Sequence, residues 1–164
     1  MVERGGTGRS GTPPGSKSRG ETWQQLTPAR FFGGYEHSID AKGRLILPAK
    51  FRPAFEHGGY ISEHHGGCLA LWTPEEFERQ LGLWEQESEA GAGSRNLMRL
   101  RAQASEEVEM DRQGRMVLPA RLRRFAELED SVWVNGAVNR VELWNPERWR
   151  PIQEQMERQL REDF

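Results

Sequence analysis

Asp40-Ala-Lys-Gly-Arg-Leu-Ile-Leu-Pro-Ala-Lys-Phe-Arg52 returns 71 positions later as Asp111-Arg-Gln-Gly-Arg-Met-Val-Leu-Pro-Ala-Arg-Leu-Arg123. Seven of the thirteen positions are identical: Asp40/Asp111, Gly43/Gly114, Arg44/Arg115, Leu47/Leu118, Pro48/Pro119, Ala49/Ala120 and Arg52/Arg123. Unrelated segments of this length share about one identity at ordinary residue usage. Further on, Leu71-Trp-Thr-Pro-Glu-Glu-Phe77 recurs as Leu143-Trp-Asn-Pro-Glu-Arg-Trp149, displaced by 72. The single added residue between the anchors is what a drifting surface loop produces. The chain therefore holds two copies of one unit, and that repeat governs the rest of the reading.

Each repeated residue has a local task. Asp-x-x-Gly is a tight turn: the carboxylate of Asp40 or Asp111 accepts from nearby amides, and Gly43 or Gly114 tolerates positive φ. Arg44–Leu47 and Arg115–Leu118 have the branched apolar content of short strands. Alternation puts Leu45 and Leu47 on one face and Arg44 and Ile46 on the other. Pro48 and Pro119 end these strands and open a helix. Tyr35–Ile39 and Val108–Met110 supply the preceding hairpin arms. Tyr60–Ile61, Cys68–Trp72, Val132–Val134 and Val138–Trp144 are further strand candidates. Thr73-Pro-Glu-Glu76 and Asn145-Pro-Glu147 are N-terminal helix signals, with a capping side chain and proline at the first helical position. Phe77, Leu81 and Trp84, and then Trp149, Ile152, Met156 and Leu160, follow at helical spacing. A linking helix is expected from about Asn96 to Ala104.

Composition sets the organisation. Residues 1–30 form a tail whose first 22 positions are rich in Gly, Pro, Ser and Thr. Such a stretch buries too little apolar surface to offset its ordering entropy, so disorder is expected. A start codon assigned too early is a further hypothesis: an intact mass beginning near Phe31 supports it, and one including Met1 removes it. Repeat one is assigned to 34–80, a linking helical segment to 81–104, repeat two to 105–148 and a C-terminal helix to 149–164. Seventy residues make a thin core alone, so the copies are expected to share one. Cys68, the only cysteine, excludes an internal disulfide and suits a reducing cytosol. No apolar run is long enough to span a membrane.

Charge is unevenly placed. Positions 40–52 carry Lys42, Arg44, Lys50 and Arg52 against Asp40, net +3. Positions 111–124 carry Arg112, Arg115, Arg121, Arg123 and Arg124 against Asp111, net +4. Against a total of −2, the remainder carries −9. Basic clusters attract phosphate even on an acidic protein, although a solvated helix face or internal ion pairs would look the same. The four scattered histidines lack metal-ligand spacing, and Cys68 reads as a small core residue. Trp72, Trp144 and Trp149 read as core or inter-repeat packing, with Trp23, Trp84 and Trp133 unassigned. No nucleophile with its base, catalytic carboxylate pair or metal cluster points to an enzyme.

The motif Asp-x-x-Gly-Arg-x-x-x-Pro-x-x-x-Arg resembles that of SpoVT-AbrB DNA-binding domains. Two copies, with Phe31-x-Gly33 before the first and Leu-Trp closing the second, resemble the MraZ family of bacterial transcriptional regulators over about Phe31 to Leu160. The resemblance implies an α+β fold of tandem AbrB-like swapped-hairpin β-barrel repeats with flanking helices, assembled as a ring. It implies double-stranded DNA as partner, at short direct repeats upstream of the cell-division and cell-wall gene cluster. The protein would act as a cytoplasmic, nucleoid-associated repressor of its own operon. No cofactor, metal or small-molecule ligand is evident in the sequence. DNA-binding residues by motif position are Arg44, Arg115, Arg52 and Arg123, with Lys42, Arg112 and Arg124 beside them. Arg44 and Arg115 are expected to grip phosphate or read guanine, and Arg52, Arg123 and Arg124 to position the backbone. The copies differ at Ala41/Arg112 and Lys42/Gln113 and are not interchangeable, so one is expected to face DNA and the other a neighbouring subunit; the resemblance does not settle which, with a slight lean toward copy one. A ring-forming interaction scaffold and an AbrB-fold antitoxin-like autoregulator are the alternatives.

Overall fold

The computed structural model describes residues 27–163. The expectations for residues 1–26, including Trp23, lie outside the described residues. Thr27 to Arg30 lead in as exposed coil, and Phe31 is the first residue fixed in the core.

Copy one contributes β1 (Gly34–Ser38), β2 (Arg44–Ile46), a 3-10 helix (Ala49–Phe55), β3 (Gly59–Glu63), β4 (Leu69–Trp72) and helix α1 (Pro74–Ser88). Helix α2 (Ala92–Gln103) connects to copy two. Copy two contributes β5 (Ser105–Val108), β6 (Arg115–Val117), α3 (Ala120–Phe125), β7 (Ser131–Gly136), β8 (Val141–Trp144) and α4 (Pro146–Glu162). The chain is thus α+β, with every strand pairing antiparallel.

The copies do not form separate sheets. The six-stranded sheet has the order β1-β7-β8-β4-β3-β5, so its edge strands each pair with a strand of the opposite copy. The remaining two strands, β2 and β6, pair only with each other. Bridges Ile39–Leu45 and Met110–Met116 tie this ribbon to the segments that follow β1 and β5. One core results. Leu45, Leu47, Phe55, Ile61, Leu69 and Leu71 from copy one meet Met116, Leu118, Leu122, Val132, Val134 and Leu143 from copy two, all inaccessible to solvent. The sharing expected from the thinness of a single repeat is what the packing realises.

The outer face of the large sheet carries α1 and α4. Residues Ala70 and Trp72 of β4 face away from the main core and, with Phe77 of α1, form a second cluster. In copy two, Trp149 of α4 stacks on Trp133 (6.1 Å between centroids) and tilts against Trp144 (5.5 Å). The caps work as anticipated: Thr73 Oγ1 accepts from Glu76 N at 3.2 Å, and Asn145 Oδ1 accepts from Glu147 N at 2.8 Å.

Several boundaries move for local reasons. Copy one opens a 3-10 helix where copy two has a short α-helix, because Pro53 lies inside it and cannot donate to an α-helical carbonyl. Pro48 and Pro119 occupy the cap positions, one residue before the helices they introduce. The linking helix starts at Ala92, just past Gly91, whose φ of 144° separates it from α1. The strand expected from Val138 begins at Val141. A tight turn, with Ala137 N donating to Arg140 O at 2.9 Å, leaves Val138 at a φ of 69° and bridged only to Phe31. The copy-two arm is Ser105–Val108, earlier than the expected Val108–Met110.

Candidate nucleic-acid interface

Both repeated motifs build the same clasp. In copy one, Asp40 Oδ1 accepts from the amides of Lys42 and Arg44, each at 2.9 Å, while Gly43 N donates to Asp40 O at 2.9 Å. The second carboxylate oxygen, Oδ2, accepts from Arg44 Nε at 2.7 Å. In copy two, Asp111 Oδ1 accepts from Gln113 N and Arg115 N at 2.9 Å, and Oδ2 accepts from Arg115 Nε at 2.8 Å. Amide hydrogen bonds from Arg44 and Arg115, with their guanidinium groups beside the carboxylates, hold Asp40 and Asp111 below the usual aspartate range. Each guanidinium is held by Nε alone, and its Nη groups have no partner among the described residues.

The two clasps stand at opposite ends of one short ribbon. The register pairs Arg44 with Val117, Leu45 with Met116 and Ile46 with Arg115. Leu45 and Met116 point into the core, so Arg44, Ile46, Arg115 and Val117 share the outer face. The expectation that one copy faces DNA and the other a neighbour separates two arginines that the fold puts on a single surface. Lys42 and Arg112 sit exposed in the turns at either end, and Arg124 is exposed on α3.

Arg52 and Arg123 have a different setting. Each Nε donates to the end of its own strand, Arg52 to Leu47 O at 2.9 Å and Arg123 to Leu118 O at 3.0 Å. Each guanidinium then lies against the glycine turn of the opposite copy. A Cβ on Gly114 would come within 2.5 Å of Arg52 Nε, and one on Gly43 within 2.8 Å of Arg123 Cζ. Backbone bonds cross at the same points: Leu47 N donates to Gly114 O at 3.1 Å and Leu118 N to Gly43 O at 2.9 Å. Half-buried and so engaged, these two arginines lock copy to copy beneath the ribbon. Arg121 spends its charge internally, on Glu106 at 3.2 Å and Glu63 at 3.6 Å.

The lock predicts a large penalty at glycine. Gly114 has a φ of 79°, in the left-handed region that side chains resist, and its missing Cβ is the space Arg52 fills. Gly114→Ala is expected to lower the unfolding free energy by about 2–3 kcal/mol through backbone strain and displacement of Arg52. Gly82→Ala, in α1 with open space around it, should be neutral or slightly stabilising. Urea midpoints that fail to separate these variants would overturn the lock.

A polar network that residue spacing did not signal lies on the outer face of β8. Glu142, nearly buried, accepts from Arg140 Nε at 3.0 Å and from Trp144 Nε1 at 3.1 Å. The matched tryptophan of copy one, Trp72, instead donates to Ser62 Oγ at 3.0 Å. His64 lies 3.8 Å from Glu142, too far for a strong pair. Burial first, and the Arg140 charge second, bring its pKa from 6.5 down to about 4. The folded chain therefore holds a neutral ring that the unfolded chain protonates near pH 6.5. Stability from this site is complete above that value, falls with pH across 6.5 to 4, and levels off below. Thermal unfolding across that window should show a slope that His64→Gln reduces; an unchanged slope would mean His64 does not carry it. Cys68 is buried, its thiol pushed up to about 12, and is chemically quiet. No helix among the described residues is long and apolar enough to cross a membrane.

Two copies sharing one antiparallel-sheet core, with an aspartate-clasped arginine from each on a common ribbon, define a tandem-repeat α+β protein. The comparisons give that class a family. The model described as "MraZ protein, putative antitoxin-like" matches residues 31–100 and 102–164, once for each copy. The chain belongs to the MraZ family. It is 39% identical over 127 residues to a protein of Roseiflexus castenholzii named "Transcriptional regulator MraZ", covering 74% of this chain and 85% of that one. It is 35% identical over 123 residues to the protein of the same name from Lactiplantibacillus plantarum, covering 75% and 87%. A third relative so named, from Nocardioides sp., is 35% identical over 120 residues, covering 73% and 83%.

Proposed function

We propose that this protein is a sequence-specific DNA-binding transcriptional regulator, acting as a repressor at short direct repeats upstream of its own operon in a cell-division and cell-wall gene cluster. The observation that carries the reading is the ribbon. Two arginines with free Nη groups stand on one exposed face, each aimed by a carboxylate, and the major groove is wide enough to admit a two-stranded ribbon. A guanidinium held through Nε still offers its Nη donors to guanine or phosphate. Lys42, Arg112 and Arg124 supply phosphate attraction around it, while Arg52 and Arg123 act beneath it. The relatives named as transcriptional regulators support the same reading. The exchange of strands between copies is read as the swapped-hairpin barrel of AbrB-like domains.

Self-assembly into a ring belongs to this proposal. Met156 and Leu160 on α4 are more than half exposed and follow Trp149 and Ile152 at helical spacing, so the apolar stripe that begins packed at Trp149 runs on without cover among the described residues. Several ribbons on one assembly would bind repeated sites with an avidity that a single ribbon lacks. Sedimentation as a monomer at all concentrations would remove this part.

Fluorescence anisotropy on the chain's own upstream DNA, beside a scrambled duplex at equal salt, tests the function. Tighter binding to the native duplex is expected. Equal binding would reduce the protein to an electrostatic binder, and no binding would bring forward the scaffold reading. The antitoxin-like description of the family keeps a second reading open, in which the same ribbon autoregulates and a toxin occupies α4; a toxin gene beside the protein's own would favour it.

A further inference from the structure

The outer face of the ribbon is half apolar. Ile46 is 45% exposed and Val117 57% exposed, on strands whose inner residues are fully buried. Register makes each the direct cross-strand neighbour of an arginine, Val117 of Arg44 and Ile46 of Arg115. Such neighbours have Cβ atoms about 5 Å apart, so an arginine and its neighbour reach base pairs one or two steps apart. The face is a checkerboard of two aimed cations and two stiff β-branched side chains.

That pattern discriminates between surfaces of DNA. A ribbon resting on phosphates would set Ile46 and Val117 against anionic oxygens and gain nothing from them. The minor groove presents no methyl group. The major groove presents the C5-methyl of thymine, the apolar group its base edges offer, alongside the guanine O6 and N7 acceptors that suit arginine. Resting on the DNA-binding reading above, we propose that Ile46 and Val117 are specificity-determining residues that contact thymine methyl groups beside the bases read by Arg44 and Arg115. The ribbon then enters the major groove, and its preferred sites place thymine next to guanine.

Replacing thymine by deoxyuridine removes that methyl and leaves the hydrogen-bonding edge intact. The full chain is titrated by anisotropy against its upstream duplex, the same duplex with every thymine replaced by deoxyuridine, and a scrambled duplex. Binding to the deoxyuridine duplex is expected to weaken about fourfold for one contacted methyl and about fifteenfold for two. The Ile46→Ala, Val117→Ala double variant, confirmed as folded by its thermal transition, is expected to bind the thymine and deoxyuridine duplexes alike. Equal affinity of the wild-type chain for both duplexes overturns the inference while leaving sequence-specific binding in place. So does a thymine preference that survives in the double variant, since the methyl would then be sensed elsewhere. Loss of any preference for the upstream duplex over the scrambled one sinks the DNA reading and this inference with it.

Discussion

Arg44→Ala combined with Arg115→Ala is expected to weaken binding to the upstream duplex on the order of a hundredfold or more, without lowering the thermal transition. In the proposed function each guanidinium reads one base bidentately, a contact whose loss costs about 1–3 kcal/mol of discrimination, and the two would act at separate bases. Stability should survive because both side chains lie on the ribbon's outer face, while Leu45 and Met116 hold it from beneath. The Asp40 and Asp111 carboxylates would keep their amide donors at Lys42, Arg44, Gln113 and Arg115, so the turns persist without the arginine side chains. Lysine at both positions separates charge from geometry. It keeps the attraction to phosphate and much of the salt dependence, but a point charge cannot reproduce the planar fork. The lysine pair should therefore bind native and scrambled duplexes with nearly equal affinity. If the alanine pair loses affinity equally for both duplexes, the arginines serve only as phosphate contacts and sequence is read elsewhere.

How much of this surface the sequence discloses depends on the range of the interactions. The clasp is local: Asp40 and Arg44 are four residues apart, and the glycine between them announces the turn. The repeat then transfers the whole arrangement to Asp111 and Arg115. Shared packing was legible too, because neither copy has enough apolar residues for a core of its own. Partner choice was not. Arg44–Ile46 looks equally able to pair with several strands, and nothing local says that Arg115–Val117 is the one. Arg52 and Arg123 show the cost of that gap. As charges they match phosphate contacts, yet their Nε groups turn to Leu47 and Leu118 and their planes cover the opposite glycine turn, which only the assembled copies create. Ile46 was assignable to the arginine face by alternation, but an apolar residue in so short a strand reads as core until its exposure is seen. The Glu142 network is local in its strongest bonds, with Arg140 and Trp144 each two residues from Glu142 on one face of the chain, and only the approach of His64 from the β3–β4 connection depends on the assembled sheet.

A cavity in one copy should destabilise both. Phe55 is fully buried and stacks on Phe31 with centroids 5.4 Å apart. Phe31 in turn exchanges backbone hydrogen bonds with Val138 of copy two, at 2.8 and 3.0 Å. Phe55→Ala removes the ring and leaves a void that rigid strands on either side cannot close, at an expected cost of about 3–5 kcal/mol. Against a total stability of about 5–15 kcal/mol for a domain, that is a large share. Because β1 and β5 pair only with strands of the opposite copy and β4 with β8 joins the copies at the centre, each copy keeps no more than one two-stranded hairpin, β3–β4 or β7–β8, when the other opens, and an isolated hairpin is marginal in water. Unfolding should therefore remain a single transition displaced to lower urea, with far-ultraviolet circular dichroism and tryptophan fluorescence coinciding. Trp72 reports on copy one and Trp144 on copy two, so independent copies would betray themselves as two steps. Phe32→Ala is the control: Phe32 adjoins the same core residue but is 60% exposed, and its loss should change stability by less than about 0.5 kcal/mol. All variants need the same protein concentration, since any self-association adds its own stabilisation by mass action. Two resolved transitions, one of them untouched by Phe55→Ala, would mean that the copies fold as separate units despite their interleaved strands.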